Sequence, residues 1–259
     1  MKNKVLKFAY LGFIYTFLYL PVVILIVYSF NNARFSAIWH GATLHWYKDL
    51  LHDYALLSVT GNSLLIAVLA ATFATFIGVL GTFALFRYRF LGRDLLYGLV
   101  FILVVVPDLV FGISLLILYS MLHISLGFWS LLLAHITFCM PFIIITVYSR
   151  LSDTDSNIFE AARDLGANDY LIFKRIILPL MAPAIIAGWL LSFTLSMDDV
   201  MISFFVTGPN FQILPLYIYS QVHVGITPEI NALCTLIFVF TVSMVLLSQL
   251  FVKKRLYGA

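Results

Sequence analysis

The sequence predicts an all-α, polytopic membrane protein with six transmembrane helices and both termini in the cytoplasm. Three observations carry this. The 259 residues are 63% hydrophobic and only 10% charged, with a mean hydropathy of +1.04, whereas a soluble domain carries roughly 25% charged residues. The apolar residues come in long unbroken runs rather than in alternation, so the backbone groups are satisfied in lipid by helices and not by a barrel. The basic residues, which accumulate on the cytoplasmic side, are unevenly shared. Lys2, Lys4 and Lys7 precede the first run, Arg87, Arg89 and Arg93 follow the second, Arg150, Arg163, Lys174 and Arg175 follow the fourth, and Lys253, Lys254 and Arg255 follow the last. Of 15 lysines and arginines, only Arg34 and Lys48 fall on the other side.

A spanning helix needs about 20 mostly apolar residues, and six stretches qualify: 8–30, 59–86, 95–122, 128–148, 183–206 and 232–252. The first has a basic start, like a secretory signal. It is too long for an ordinary signal core and lacks a following A-x-A site, so it reads as an uncleaved span. No stretch between the runs is large enough for a soluble catalytic domain, and residues 1–259 are expected to form one transmembrane domain. Cys139 and Cys234 lie inside apolar runs and read as small buried side chains rather than a redox pair. The outer loop, about 31–58, carries Trp39, Trp46 and Tyr47, which suit an interfacial belt; Trp46 is also a candidate for the solute pathway. His40, His45 and His52 share no helical face, and no metal site is expected there.

The stretch EAARDLGANDYLIFKRIILP, residues 160–179, is a charged island between the fourth and fifth runs, within a cytoplasmic loop of about 150–182. Ser156 or Asn157 can cap a short helix, with Glu160 in its first turn where a carboxylate suits the helix dipole. Glu160 and Arg163 are spaced to pair across one turn. Gly166 supplies a break, a second helical stretch begins at Asp169, and Pro179 and Pro183 are expected to reset the chain before the fifth span. The result is a helix–glycine–helix elbow on the membrane surface.

Three carboxylates lie inside the spans: Asp108, Asp198 and Asp199. A charge at mid-bilayer costs roughly 2.5–3.5 kcal/mol or more, so such residues line a pathway or find a partner. No lysine or arginine lies within any run, so no internal salt bridge is expected. At about 1.5 Å per residue, straight helices would lift Asp108 and Asp198 about 20 and 22 Å above the cytoplasmic ends of their spans. Two carboxylates at one level suit a cationic solute, and Pro107 would free backbone carbonyls beside Asp108. Asp198 and Asp199 point about 100° apart on a helix, which favours Asp198 as the residue facing the pathway. Tyr217 and Tyr219, in the outer segment 214–220, are placed either to attract ammonium groups or to form a belt.

Catalytic signatures are missing. There is no G-x-x-x-x-G-K-[ST], H-E-x-x-H, C-x-x-C or G-x-S-x-G, so the chain is expected to be a transport subunit and not an enzyme. Asp108 and Asp198 sit in neither a Y-D nor a G-x-G-D setting, as an intramembrane aspartyl protease would need.

Glu160-Ala161-Ala162, then Gly166, then Ile176-x-Leu178-Pro179 resembles the EAA loop of ABC importer permeases. The segments PDLVFGISLL around Asp108, GFWSLLLAHITFCMPFIIITVYSRL in the fourth run and SFTLSMDDVMISFFVTGPNFQILPLYIYS after residue 191 extend the resemblance to the permeases of spermidine/putrescine importers. The resemblance implies a MetI-like type I importer fold. It implies that Glu160, Ala161, Ala162, Arg163, Gly166, Leu178 and Pro179 form a coupling helix that docks on an ATPase, with the small alanines allowing close approach. It implies a second, different permease, a pair of ATPase subunits that bind the ATP and magnesium, a periplasmic binding protein, and a location in the bacterial inner membrane; no nucleic acid is involved. The expected pathway residues are Asp108, Asp198, Asp199, Tyr219 and Trp46, with a polyamine as the cation. A permease for another small solute stays open at this point, as does a self-contained cation- or proton-coupled transporter, which would have no use for an EAA loop.

Overall fold

The computed structural model describes residues 2–33, 38–155, 157–224 and 227–257, and among these the only β-pairing is a single bridge between Asn31 and Ala42. Helices make up the rest: α1 (Lys2–Tyr28), α2 (His45–Leu50), α3 (Tyr54–Arg87), α4 (Arg93–Val105), α5 (Asp108–Met121), α6 (Phe128–Ser152), α7 (Asn157–Asp164), α8 (Asp169–Ile172), α9 (Leu178–Asp198), α10 (Met201–Val206), α11 (Leu214–Val224) and α12 (Pro228–Tyr257). Among the described residues four stretches are long and apolar enough to cross a membrane: Leu6–Tyr28, Tyr54–Arg87, Phe128–Ser152 and Asp169–Asp198. The pair α4 and α5 would make a fifth, and α12 contributes a shorter apolar stretch, Pro228–Ser243.

The chain divides into two compact units. One holds the residues up to Ser58 together with Ile218–Lys253, and the other is centred on Val59–Tyr217. In the first unit the start of the outer loop is tied down by Asn31, whose side chain is fully buried. Its Nδ2 donates to the Ile38 carbonyl at 2.8 Å, its Oδ1 accepts from the His40 N–H at 2.8 Å, and its own carbonyl accepts from Trp46 Nε1 at 2.7 Å. Ser29 Oγ and Tyr47 Oη lie 2.7 Å apart. Trp46 and Tyr47 therefore fold the loop as well as marking its level.

In the second unit α6 is the central helix. Without a hydrophobic driving force in lipid, helices associate where small residues let their backbones approach. On α3, Ala67, Ala70, Ala71 and Ala74 are fully buried and continue to Gly78, where an added Cβ would meet Ile143 Cγ2 at 2.7 Å. From the other side Gly188 of α9 would place a Cβ 3.0 Å from Ile143 Cδ1. Ile143 on α6, itself fully buried, is thus the residue against which both neighbours are cut down to glycine.

Two of the continuous spans expected from sequence are broken. The third run bends by 114° between α4 and α5. Proline pushes the residue before it to extended backbone, and Val106 indeed has ψ 129°, followed by Pro107 with φ −58° and ψ 135°. The fifth run ends at Asp198; Asp199 is extended, with ψ 122°, before α10 begins. Conversely, Pro179 and Pro183 do not reset the chain. The helix continues from Asp169 to Asp198 through one wide turn at Phe173–Ile177, where the Leu178 N–H bonds the Phe173 carbonyl five residues back. A turn of this kind shifts the hydrogen-bond ladder, and it lies just before Pro179.

Candidate functional site

The elbow forms as two short helices around Gly166. The Asp155 carboxylate, rather than Asn157, caps α7, with Oδ1 accepting from the Asn157 N–H at 3.0 Å; Ser156 lies outside the described residues. At the other end the Gly166 N–H bonds the Arg163 carbonyl at 2.8 Å and the Ala167 N–H bonds the Ala162 carbonyl at 3.0 Å. That closure needs a left-handed residue, and Gly166 supplies φ +84°. Asn168 then caps α8, accepting from the Leu171 N–H at 2.9 Å.

Helix α7 has two faces. Phe159 and Ala162 are buried and pack into a cluster with Val79, Ile143, Val147, Leu151, Ile172 and Met181, and the Phe159 ring meets Phe86 edge-on at 5.8 Å. Ala162 is therefore small for packing under its own bundle, whereas Ala161 stays exposed. The other face is open: Ile158 is 44% and Leu165 89% exposed, with Glu160, Ala161, Arg163 and Asp164 exposed beside them. The Glu160–Arg163 pair does not form among the described residues. Arg163 Nη2 instead lies 3.7 Å from Asp169 Oδ1, which also accepts from Arg87 Nε at 3.1 Å. Gly166 folds α7 back so that the Asp169 carboxylate, fixed by the end of α3, is nearer the guanidinium than Glu160 is. Leu178 and Pro179 are exposed at the start of α9.

The carboxylates stand at the two helix breaks. Asp108 opens α5 and is exposed, and Asp198 closes α9 and is also exposed. Helix α9 begins earlier than the sequence indicates, so Asp198 sits at the end of a helix about 30 Å long and not just past its middle. Asp108, Asp198 and Asp199 are close enough to interact electrostatically. The packing that holds the breaks together is tight: an added Cβ on Gly112 of α5 would meet the Ile202 Cα at 3.1 Å and the Met201 carbonyl oxygen at 3.3 Å in α10.

Asp199 differs from its neighbours. Its side chain is buried. Oδ1 accepts from the Ile202 N–H at 3.1 Å, and Oδ2 accepts from the Ser203 N–H at 2.8 Å and the Ser203 hydroxyl at 2.7 Å. It caps α10, as carboxylates do at helix starts. His135 Nε2 lies 3.4 Å from Asp199 Oδ2, a polar partner that is neither lysine nor arginine. His135, fully buried on α6, is the site residue that the carboxylate argument leaves out. An ionisable ring inside an apolar run carries the same signal as a carboxylate and marks it in the sequence.

Trp46 and Tyr219 belong to the other unit. The Trp46 indole N–H is committed to the Asn31 carbonyl, and Tyr219 is 45% exposed on α11.

Comparison with known proteins agrees with this architecture. Over 258 residues the chain is 52% identical to the spermidine/putrescine transport system permease protein PotC of Escherichia coli (strain K12), covering 100% of this chain and 98% of that protein. It is 47% identical over 255 residues to the same-named protein of Haemophilus influenzae, covering 98% of this chain and 99% of that one. It is 44% identical over 235 residues to the putrescine transport system permease protein PotI of Escherichia coli (strain K12), covering 88% and 83%. A solved bacterial ABC transporter involved in the import of the acidic polysaccharide alginate shares the fold at a TM-score of 0.70 and 16% identity, covering 97% of this chain and 95% of that one. The MetNI methionine ABC transporter does so at 0.65 and 17%, covering 77% and 95%. Residues 74–256 match the family of binding-protein-dependent transport system inner membrane components, and with full-length relatives at 52% identity the chain belongs to this family, the permease subunits of ABC importers.

Proposed function

We propose that this chain carries polyamines, spermidine or putrescine, through the bacterial inner membrane as one permease of an ATP-driven importer. The observation that supports this most is the pair of exposed carboxylates at the two helix breaks, Asp108 and Asp198, neither of which makes an ion pair among the described residues. A solute with several ammonium groups on an apolar chain is matched by spaced carboxylates, and the names of the relatives point to the same solutes. In this reading residues 1–259 act as one transmembrane domain of six spans with cytoplasmic termini, and the loops 31–58 and 150–182 lie on opposite sides.

The chain has no motor of its own. A second, different permease completes the pathway, a periplasmic binding protein delivers the cation to the outer loops, where Trp46 and Tyr219 receive it, and two ATPase subunits bind ATP and magnesium. The ATPase grips the open face of α7, where Ile158, Ala161 and Leu165 form an apolar stripe flanked by Glu160 and Arg163. Closure of the ATPases on ATP moves the elbow, and the continuous helix from Asp169 to Asp198 carries that movement to the carboxylate at its far end.

Uptake of radiolabelled spermidine and putrescine by the assembled transporter tests this. Asp108→Asn and Asp198→Asn should each depress uptake about tenfold while assembly is retained, the scale of losing one charge contact of roughly 1.4 kcal/mol. Unchanged uptake in both variants would remove the pathway. Glu160→Lys should leave ATP turnover high and uptake low; normal coupling would make the elbow a mere linker.

A further inference from the structure

We infer that His135 is a positioning residue that, through Asp199, holds the α9–α10 break in the shape that presents Asp198 to the transported cation. The inference rests on the pathway reading above and adds to it a residue that touches no solute.

The hydrogen bonds can be followed proton by proton. The Ser203 hydroxyl donates to Asp199 Oδ2 at 2.7 Å, so its one proton is spent. His135 Nε2, 3.0 Å from the same hydroxyl oxygen, must then be the donor, and its N–H also leans toward Asp199 Oδ2 at 3.4 Å. That places a proton on Nε2, and Nδ1 is joined to the Ser196 hydroxyl at 2.6 Å. The chain Ser196 to His135 to Ser203 to Asp199 is continuous.

Two consequences follow. Asp199 has three short donors besides the imidazole and is buried in its cap, so it needs no cation from outside. In addition, the network joins three helices at one point, because His135 lies on α6, Ser196 on α9 and Ser203 on α10. Ser196 and Asp199 bracket Asp198 in the chain. With Ser196 held to the ring from one side and Asp199 held from the other, the backbone at Asp198 has its direction set, and its side chain is exposed. A buried polar network with every member satisfied specifies one arrangement. Removal of the ring would leave the Ser196 hydroxyl and the cap with fewer partners, and the break free to turn.

A double-mutant cycle on spermidine uptake by the complete transporter tests this, with assembly checked by co-purification of the partner subunits. The variants are His135→Gln, which can keep a donor near Ser203 and loses the ring nitrogen that meets Ser196, Asp198→Asn, and the pair combined. Each single change should lower uptake about tenfold, and the combination should also fall about tenfold rather than a hundredfold, because residues acting through one another are not additive. A hundredfold loss in the double variant would show that His135 acts independently of Asp198 and overturn the inference while leaving the pathway in place. Normal uptake in Asp198→Asn would overturn the pathway reading itself. Wild-type uptake in His135→Gln, or in His135→Leu, which has no donor or acceptor, overturns the inference. If the histidine variants fail to assemble, Ser203→Ala breaks the same network from α10 and carries the cycle with the same outcomes.

Discussion

The two breaks that flank the site are made by different means. At α4–α5 the chain is turned by a covalent constraint: Pro107 lacks a donor, forces Val106 to extended backbone, and leaves Asp108 open at the start of α5. At α9–α10 no proline is present, and the turn is made by a side chain, the buried Asp199, which replaces the missing backbone partners of Ile202 and Ser203. A proline break can be held locally. A carboxylate break in an apolar setting must be hydrogen-bonded by its surroundings, and here the donors of α10 do it, with a histidine from a third helix behind Ser203. The difference teaches that adjacent carboxylates, Asp198 and Asp199, can have opposite duties: one is used up in building the corner and the other is left free by it.

Three substitutions break or sharpen this contrast. The largest effect is expected from Asp199→Leu, which takes the acceptor from two backbone N–H groups and the Ser203 hydroxyl; each buried donor left unsatisfied costs about 1–3 kcal/mol. Thermal unfolding of the purified complex in detergent should fall steeply, and an unshifted transition would mean the carboxylate does not build the corner. Gly112→Leu comes next. It drives a side chain into the backbone of α10, where even a Cβ would be within 3.1 Å of Ile202 Cα, and overpacking costs about 1–3 kcal/mol. The same melt should show an intermediate loss, and a variant as stable as the parent would mean the two breaks are not packed on one another. Pro107→Ala should be mildest, about 0.4–1 kcal/mol, since the gain from proline is chiefly a stiffer unfolded chain and α5 remains held by α10. A loss exceeding that of Gly112→Leu would reverse the ranking and make the proline the main support of the site.

The elbow gives a second view of what could be foreseen. Gly166, the break it makes and the helices on both sides are legible in the sequence, because a left-handed closure has a residue signature. Which alanine faces the bundle is not. Ala161 and Ala162 are chemically identical, and only the packing of Phe159 against Phe86 turns Ala162 inward. Arg163 has Glu160 within reach along the helix, yet it pairs with Asp169 because Arg87 and the turn at Gly166 bring that carboxylate to it.

By itself the sequence determined the class of the molecule, the stretches that enter the membrane, the charged elbow and the cost of keeping three carboxylates in an apolar chain, since these depend on composition, run length and local backbone chemistry. Only the tertiary structure decided where two spans break, which of two neighbouring aspartates is spent and which is free, and that His135 is their support. Those outcomes depend on groups distant in sequence, and the burial that makes a polar group demand a partner is a property of the packed helices rather than of any one of them.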